Sequence, residues 1–174
     1  MCGFIASFGA DVNQNDFKNA LKQLSRRGPD SEGIWVENKV FLGSRRLAIF
    51  DLNNRSDQPM HSSCSRYIII FNGSIYNYKV LRKYLIDNNI RLKTHSDTEV
   101  ILELFALEGP KMLSKLEGMF AFVIWDCKEK KAFAARDPFG IKPMYIGTNL
   151  DGIILSSQVK AILSTKLINN DKDI

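Results

Sequence analysis

The chain has 174 residues, with 24 Lys and Arg against 19 Asp and Glu and 45% hydrophobic side chains. These figures suit one globular domain and exclude long disorder, and no apolar run nears the roughly 18–20 residues that a membrane-spanning helix needs. The net charge of +5 is dispersed; its densest stretch, Lys128-Glu129-Lys130-Lys131, contains an acid and reads as a solvated turn rather than a nucleic-acid patch.

In chain order, residues 2–8 are apolar and β-compatible, and Phe17, Ala20, Leu21 and Leu24 form a helical stripe over residues 15–24. Arg26-Arg27-Gly28-Pro29-Asp30 is a turn by its Gly-Pro pair. Residues 34–36 and 40–42 predict a hairpin around Glu37-Asn38-Lys39, and residues 46–50 and 67–71 predict two more strands. Asn72-Gly73 reads as a tight turn after the second of these. Val80, Leu81, Tyr84 and Leu85 mark a second helix. Ser96-Asp97-Thr98-Glu99 is a capping-box pattern opening a third, with Val100, Ile101, Leu104 and Phe105 inward, and Gly109-Pro110 stops it. Residues 118–125 and 132–136 predict a second hairpin. Short strands at 144–146 and 153–155 and a short helix at 157–163 follow, and the tail from 168 turns polar. Strands at both ends around central helices predict an α+β fold with mainly antiparallel sheets.

Cys2 carries the most chemical information. Loss of Met1 would place a free α-amine on the residue that bears the thiol. An α-amine has a pKa near 7.7–8.0, so a useful fraction of it is neutral at physiological pH and can take the thiol proton. The alternative is an ordinary small residue after an initiator Met. Cys64, in a Ser-rich loop, and Cys127, at a hairpin edge, have no helper nearby in sequence, and three cysteines make no complete disulfide framework. His61 and His95 lack any Cys-His metal spacing, so no metal site is expected. Asn72-Gly73 is either a turn or a pair of hydrogen-bond donors able to stabilise an acyl-transfer oxyanion. Arg46 is either a surface residue or a fork for a carboxylate. Asp97 is either a favourable acid at a helix start or the holder of a substrate ammonium. No phosphate-binding Gly-rich loop occurs.

Seven segments together resemble a known family. They are Met1-Cys2-Gly3, Arg26-Arg27-Gly28-Pro29-Asp30, Arg46-Leu47-Ala48-Ile49, Asp57-Gln58-Pro59-Met60, Asn72-Gly73-Ser74-Ile75-Tyr76-Asn77, Ser96-Asp97-Thr98-Glu99-Val100 and Arg136-Asp137-Pro138-Phe139-Gly140-Ile141-Lys142-Pro143. In that order they look like the glutaminase domain of class II glutamine amidotransferases, most like the N-terminal domain of glutamine-hydrolysing asparagine synthetases. The resemblance implies an N-terminal nucleophile hydrolase fold, a four-layer sandwich of two antiparallel β-sheets between helix layers. It implies hydrolysis of the L-glutamine side-chain amide through a Cys thioester, with ammonia supplied to an ATP-dependent synthetase domain.

By the same resemblance Cys2 is the nucleophile, and Asn72 and Gly73 form the oxyanion hole. Arg46 binds the substrate α-carboxylate, Leu47, Ala48, Ile49 and Phe50 line the pocket, and Asp97 binds the α-ammonium. Ser74 stands where the family usually carries Glu beside that ammonium, which implies weaker glutamine binding. Arg26 replaces a usual His, and Gln158 a usual Glu. Residues 1–165 are expected to be the domain and 166–174 the start of a linker to an absent C-terminal synthetase domain. No cofactor is expected in this chain; ATP and Mg belong to the synthetase domain. Expected partners are L-glutamine and a synthetase domain in cis or as a partner. Neither nucleic acid nor membrane is expected, a homodimer stays open, and the setting is cytoplasmic. The competing reading is a non-catalytic or weakly active domain of the same fold, used for partner binding or regulation, which Ser74 favours. A hydrolase acting on another amide fits less well with Arg46 and Asp97, which suit an amino-acid zwitterion.

Overall fold

The computed structural model describes residues 2–49 and 53–168. The first sheet has five strands, β1 (Gly3–Phe8), β2 (Ser31–Glu37), β3 (Val40–Arg46), β8 (Tyr145–Thr148) and β9 (Ile153–Ser156), in the order β2-β3-β1-β9-β8. The second has four, β4 (Met60–His61), β5 (Tyr67–Ile75), β6 (Gly118–Asp126) and β7 (Lys131–Arg136), in that order. Every pairing is antiparallel. Helices α1 (Gln14–Lys22) and α4 (Val159–Leu163) cover the outer face of the first sheet. Helices α2 (Tyr78–Asp87) and α3 (Asp97–Glu108) cover the outer face of the second.

The two-residue alternation of the strands explains this layering. Phe4 and Ala6 of β1, Leu42 of β3, Ile68 and Ile70 of β5, and Ala121 and Val123 of β6 meet between the sheets. Their neighbours point the other way: Ile5 and Phe41 pack on α1, while Ile69, Phe71, Phe122 and Ile124 pack on α3. Central strands buried on both faces read as unbroken apolar runs, which is why Tyr67-Ile68-Ile69-Ile70-Phe71 shows no polar alternation. The result is the α+β four-layer sandwich expected from the sequence.

Three local expectations are corrected. Asn72-Gly73 is not a turn: β5 continues to Ile75, with Asn72 opposite Ala121 and Gly73 opposite Phe120. The glycine serves close approach instead, since a Cβ there would lie 2.3 Å from the Met119 carbonyl oxygen. The strand expected over residues 46–50 ends with β3 at Arg46. Beyond it the ladder has no partner, and the Ala48 N–H donates instead to Asp30 Oδ2 at 2.8 Å. The capping box is only half formed. Ser96 Oγ accepts from the Thr98 N–H at 3.0 Å, but the Glu99 carboxylate turns back to the Lys93 and Thr94 N–H groups at 2.7 Å each. The helix stop behaves as expected: α3 ends at Glu108, and Gly109 takes φ +62°. At the far end Leu167 and Ile168 pack against the α1–α4 layer, and residues 169–174, with the rest of the expected linker, lie outside the described residues.

Candidate active site

The layer between the sheets is apolar along most of its length and turns polar at one end. Cys2 continues the row of Phe4 and Ala6, Arg46 continues the row of Val40, Leu42 and Ser44, and Asn72 and Ser74 continue the row of Ile68 and Ile70. These rows open into a cavity of about 280 Å³, near the lower end of small-molecule sites. It is lined by Cys2, Arg46, Leu47, Ile49, Asn72, Gly73, Ser74 and Asp97 among the residues singled out from sequence. Ala48 is not among the lining residues, its backbone being tied to Asp30, and Phe50 lies outside the described residues.

Cys2 is held from two sides. The Arg27 Nε–H donates to its carbonyl at 3.0 Å, and its sulfur rests on the backbone of Leu47, 3.4 Å from the nitrogen and 3.7 Å from the oxygen. The Arg-Gly-Pro-Asp turn makes this possible. Gly28 lies so close to β3 that a Cβ would sit 2.2 Å from the Arg45 carbonyl carbon, and the Asp30 N–H donates to the Arg46 carbonyl at 3.0 Å. The turn therefore clamps the start of β1, which carries Cys2, and residues 46–48 together.

Arg46 is buried, and its Nη1 donates to Asp57 Oδ1 at 2.8 Å; Ser31 Oγ donates to the same oxygen at 2.8 Å. A fork fixed on one side by a carboxylate keeps its plane, as bidentate carboxylate recognition requires.

Two donors converge from β5. Asn72 is buried, and its Nδ2 has no hydrogen-bond partner among the described residues. Buried amide nitrogens are nearly always paired, so an unpaired one at a cavity points to a missing acceptor. The second donor is the Gly73 N–H. Those of Phe71 and Ile75 leave β5 on the side away from β6, to Gln58 Oε1 at 2.7 Å and Asp97 Oδ2 at 3.1 Å. Gly73 lies two residues from each, so its N–H leaves on that same side.

Asp97 begins α3 beneath the Ser96 cap. Burial raises its carboxyl from the ordinary 3.8 to about 6, opposed by the N–H groups of Ile75, Thr98 and Asp97 itself. Among the described lining residues it is the sole carboxylate.

Gln58 and Lys142 are among the lining residues given no role from sequence. Gln58 bridges β5 to α3, accepting from the Phe71 N–H and donating to Thr98 Oγ1 at 3.3 Å. Lys142 comes from the loop after β7 and is 5% exposed. Burial, then the nearby Arg27 charge, lowers its pKa, while Cys2 and Asp137 act in the opposite sense. Both lie within motifs quoted from sequence, Gln58 before Pro59-Met60 and Lys142 between Ile141 and Pro143, and a polar residue against such neighbours was the available signal.

A scan against protein families matches the glutamine amidotransferase domain over residues 1–174, the whole chain. Among solved structures, glutamine phosphoribosylpyrophosphate amidotransferase from B. subtilis superposes with a TM-score of 0.82 at 24% identity, covering 95% of this chain and 44% of that one. That likeness establishes the fold, two antiparallel sheets sandwiched between helix layers. The chain belongs to the glutamine amidotransferase domain family, and it is an enzyme domain of that kind. It is 39% identical, over its full length, to asparagine synthetase [glutamine-hydrolyzing] 1 of Bacillus subtilis, and 36% identical to a putative asparagine synthetase of Methanocaldococcus jannaschii. It spans 28% and 37% of the lengths of these two relatives.

Proposed function

We propose that this domain hydrolyses the side-chain amide of L-glutamine through a thioester on Cys2. The observation that carries the reading is the convergence of three features on one cavity: the Cys2 sulfur, the unpartnered Asn72 amide, and an Arg46–Asp97 pair of opposite charge. Arg46 takes the α-carboxylate and Asp97 the α-ammonium. The extended side chain then presents its amide carbon to the sulfur and its oxygen to Asn72 Nδ2 and the Gly73 N–H.

With Met1 removed, the α-amine of Cys2 takes the thiol proton. The C–S bond forms, and the oxygen carries its charge between the two donors. The ammonium returns its proton to nitrogen as the C–N bond breaks, releasing ammonia. Water, deprotonated by the same amine, then attacks the thioester, breaks the C–S bond and gives glutamate. Two oriented donors aimed at the developing oxyanion supply much of the barrier reduction.

The names of the relatives, glutamine-hydrolysing asparagine synthetases, support an ammonia acceptor of that kind. In this reading the acceptor sits in an ATP-dependent domain, in cis or in a partner chain, in the cytoplasm. ATP and Mg would be bound there and not in this cavity. Ser74 favours a second reading, a weakly active domain serving partner binding, because it leaves Asp97 as the lone acid of the described lining.

The test is glutamate release from glutamine, followed in the parent, Cys2→Ala and Ser74→Glu. Glutaminase chemistry predicts turnover in the parent, none in Cys2→Ala, and a lower KM in Ser74→Glu. No turnover in either Cys2-containing protein would favour the binding reading.

A further inference from the structure

Gln58 lines the cavity, yet the chemistry above gives it no part. Its place follows from the way the β4–β5 ladder ends. β4 pairs with β5 through Met60–Ile69 and His61–Ile68, and the same register carried back sets Gln58 opposite Phe71. The Gln58 carbonyl lies against β2 instead, where a Cβ on Gly33 would be 2.2 Å from it. The side-chain oxygen takes the Phe71 N–H in its stead, at 2.7 Å, and Nε2 donates to Thr98 Oγ1 at 3.3 Å. Phe71, Gln58 and Thr98 are all buried, where such bonds are stronger than in water.

Each bond ends one residue from a group that would hold the substrate. Phe71 precedes Asn72, whose amide would face the oxyanion, and Thr98 follows Asp97, which would take the ammonium. Asp57, the residue before Gln58, holds Arg46 Nη1 at 2.8 Å and so fixes the α-carboxylate end. Two adjacent residues thus tie the head-group pair, Arg46 and Asp97, to the strand that carries the amide-end donors. A second link joins β5 to α3, from the Ile75 N–H to Asp97 Oδ2 at 3.1 Å. That link draws on the carboxylate that an ammonium would also engage, whereas the Gln58 link leaves it untouched.

We propose that Gln58 is a positioning residue that sets the length of amino-acid side chain the site accepts. The inference rests on the glutaminase reading, with Arg46 and Asp97 as the head-group pair. Glutamine and asparagine share the zwitterion and the amide and differ by one methylene in the span between them. A site that holds both ends at a fixed separation separates the two by roughly 10–200-fold, the worth of one methylene. Gln58 touches neither end of the substrate in this scheme; it acts through β5 and α3.

The test is the affinity of Cys2→Ala for L-glutamine and for L-asparagine, measured by titration calorimetry so that no turnover intervenes. Cys2→Ala should favour glutamine by about tenfold or more. Adding Gln58→Met, close in shape but without either bond, should cut that preference about tenfold, and so should Thr98→Val, which removes the hydroxyl alone. Thr98→Ser keeps the hydroxyl and should hold the preference to within about twofold of Cys2→Ala. Gln58→Met combined with Thr98→Val should go no further than Gln58→Met, because both break the same link. A merely structural role would weaken both ligands alike. Glutamine bound with an unchanged preference in Gln58→Met and Thr98→Val therefore overturns the inference alone. Should Gln58→Met not fold, the Thr98→Val and Thr98→Ser pair decides by the same criterion. No glutamine binding by Cys2→Ala would sink the glutaminase reading, and this inference with it.

Discussion

At the residue scale, the cavity combines groups whose cost in the empty protein is repaid only by a ligand. The Asn72 amide is one. Asn72→Ala should lower kcat by roughly 10²–10³ with little change in KM, because the donor acts on charge that develops in the transition state. Since Nδ2 has no partner to lose, the fall in Tm should be small beside the catalytic loss, and a scanning calorimeter would show it. Asp97 is another. Its folded pKa, about 6, lies above the ordinary 3.8, so the folded protein keeps a proton that the unfolded chain has released. Stability therefore falls as pH rises from about 4 to 6 and is level beyond. Asp97→Asn removes this term and should raise stability at pH 7 by roughly 2–3 kcal/mol relative to its effect at pH 4, read from urea unfolding at the two values. The same variant should lose most of its affinity for glutamine. In the parent, KM should rise as pH falls through about 6, where Asp97 gains the proton that an ammonium partner excludes.

At the scale of the elements, short contacts between backbones place these groups. Gly73 brings β5 against β6, and Gly28 brings the turn against β3. Gly28→Ala should cost more than the roughly 1–3 kcal/mol of ordinary overpacking, because the clashing atoms are backbone and cannot rotate away. Its Tm and its glutaminase rate should fall together, since the turn also holds Cys2 through Arg27. Ser96→Ala removes the N-cap of α3 at a cost of about 1 kcal/mol and should raise KM by loosening Asp97, leaving kcat nearly unchanged.

The element boundaries show what could be read from residues alone. Apolar runs located β1, β5, β6 and the two longer helices, because burial on both faces or a 3.6-residue stripe leaves a local imprint. Asn72-Gly73 misled, because the same dipeptide satisfies a tight turn and a close strand crossing; only the Met119 carbonyl opposite decides between them. The end of β3 at Arg46 depends on where its partners stop, which no local pattern records. Cys2, Arg46, Asn72 and Asp97 were legible as members of ordered motifs. Gln58 and Lys142 stood in such motifs too, but their places in the cavity arise from contacts between distant segments, so no role could be read for them.

At the scale of the whole molecule, two sheets stack so that their inner rows run out at one end. There the side chains that would continue the core become sulfur, guanidinium and amide. The apolar layer behind them keeps the rows in register, and the helices outside leave that end uncovered. The proposed mechanism makes catalysis depend on Cys2 acting with its own liberated amine. The decisive comparison is between chains that differ only at the start: one whose mass shows Cys2 as the first residue, and one retaining an uncleavable residue before it. The first should release glutamate from glutamine and accumulate a glutamyl thioester on the Cys2 peptide after acid quench. The second should do neither while keeping the same fold by circular dichroism. Equal turnover by both would contradict the mechanism at its root.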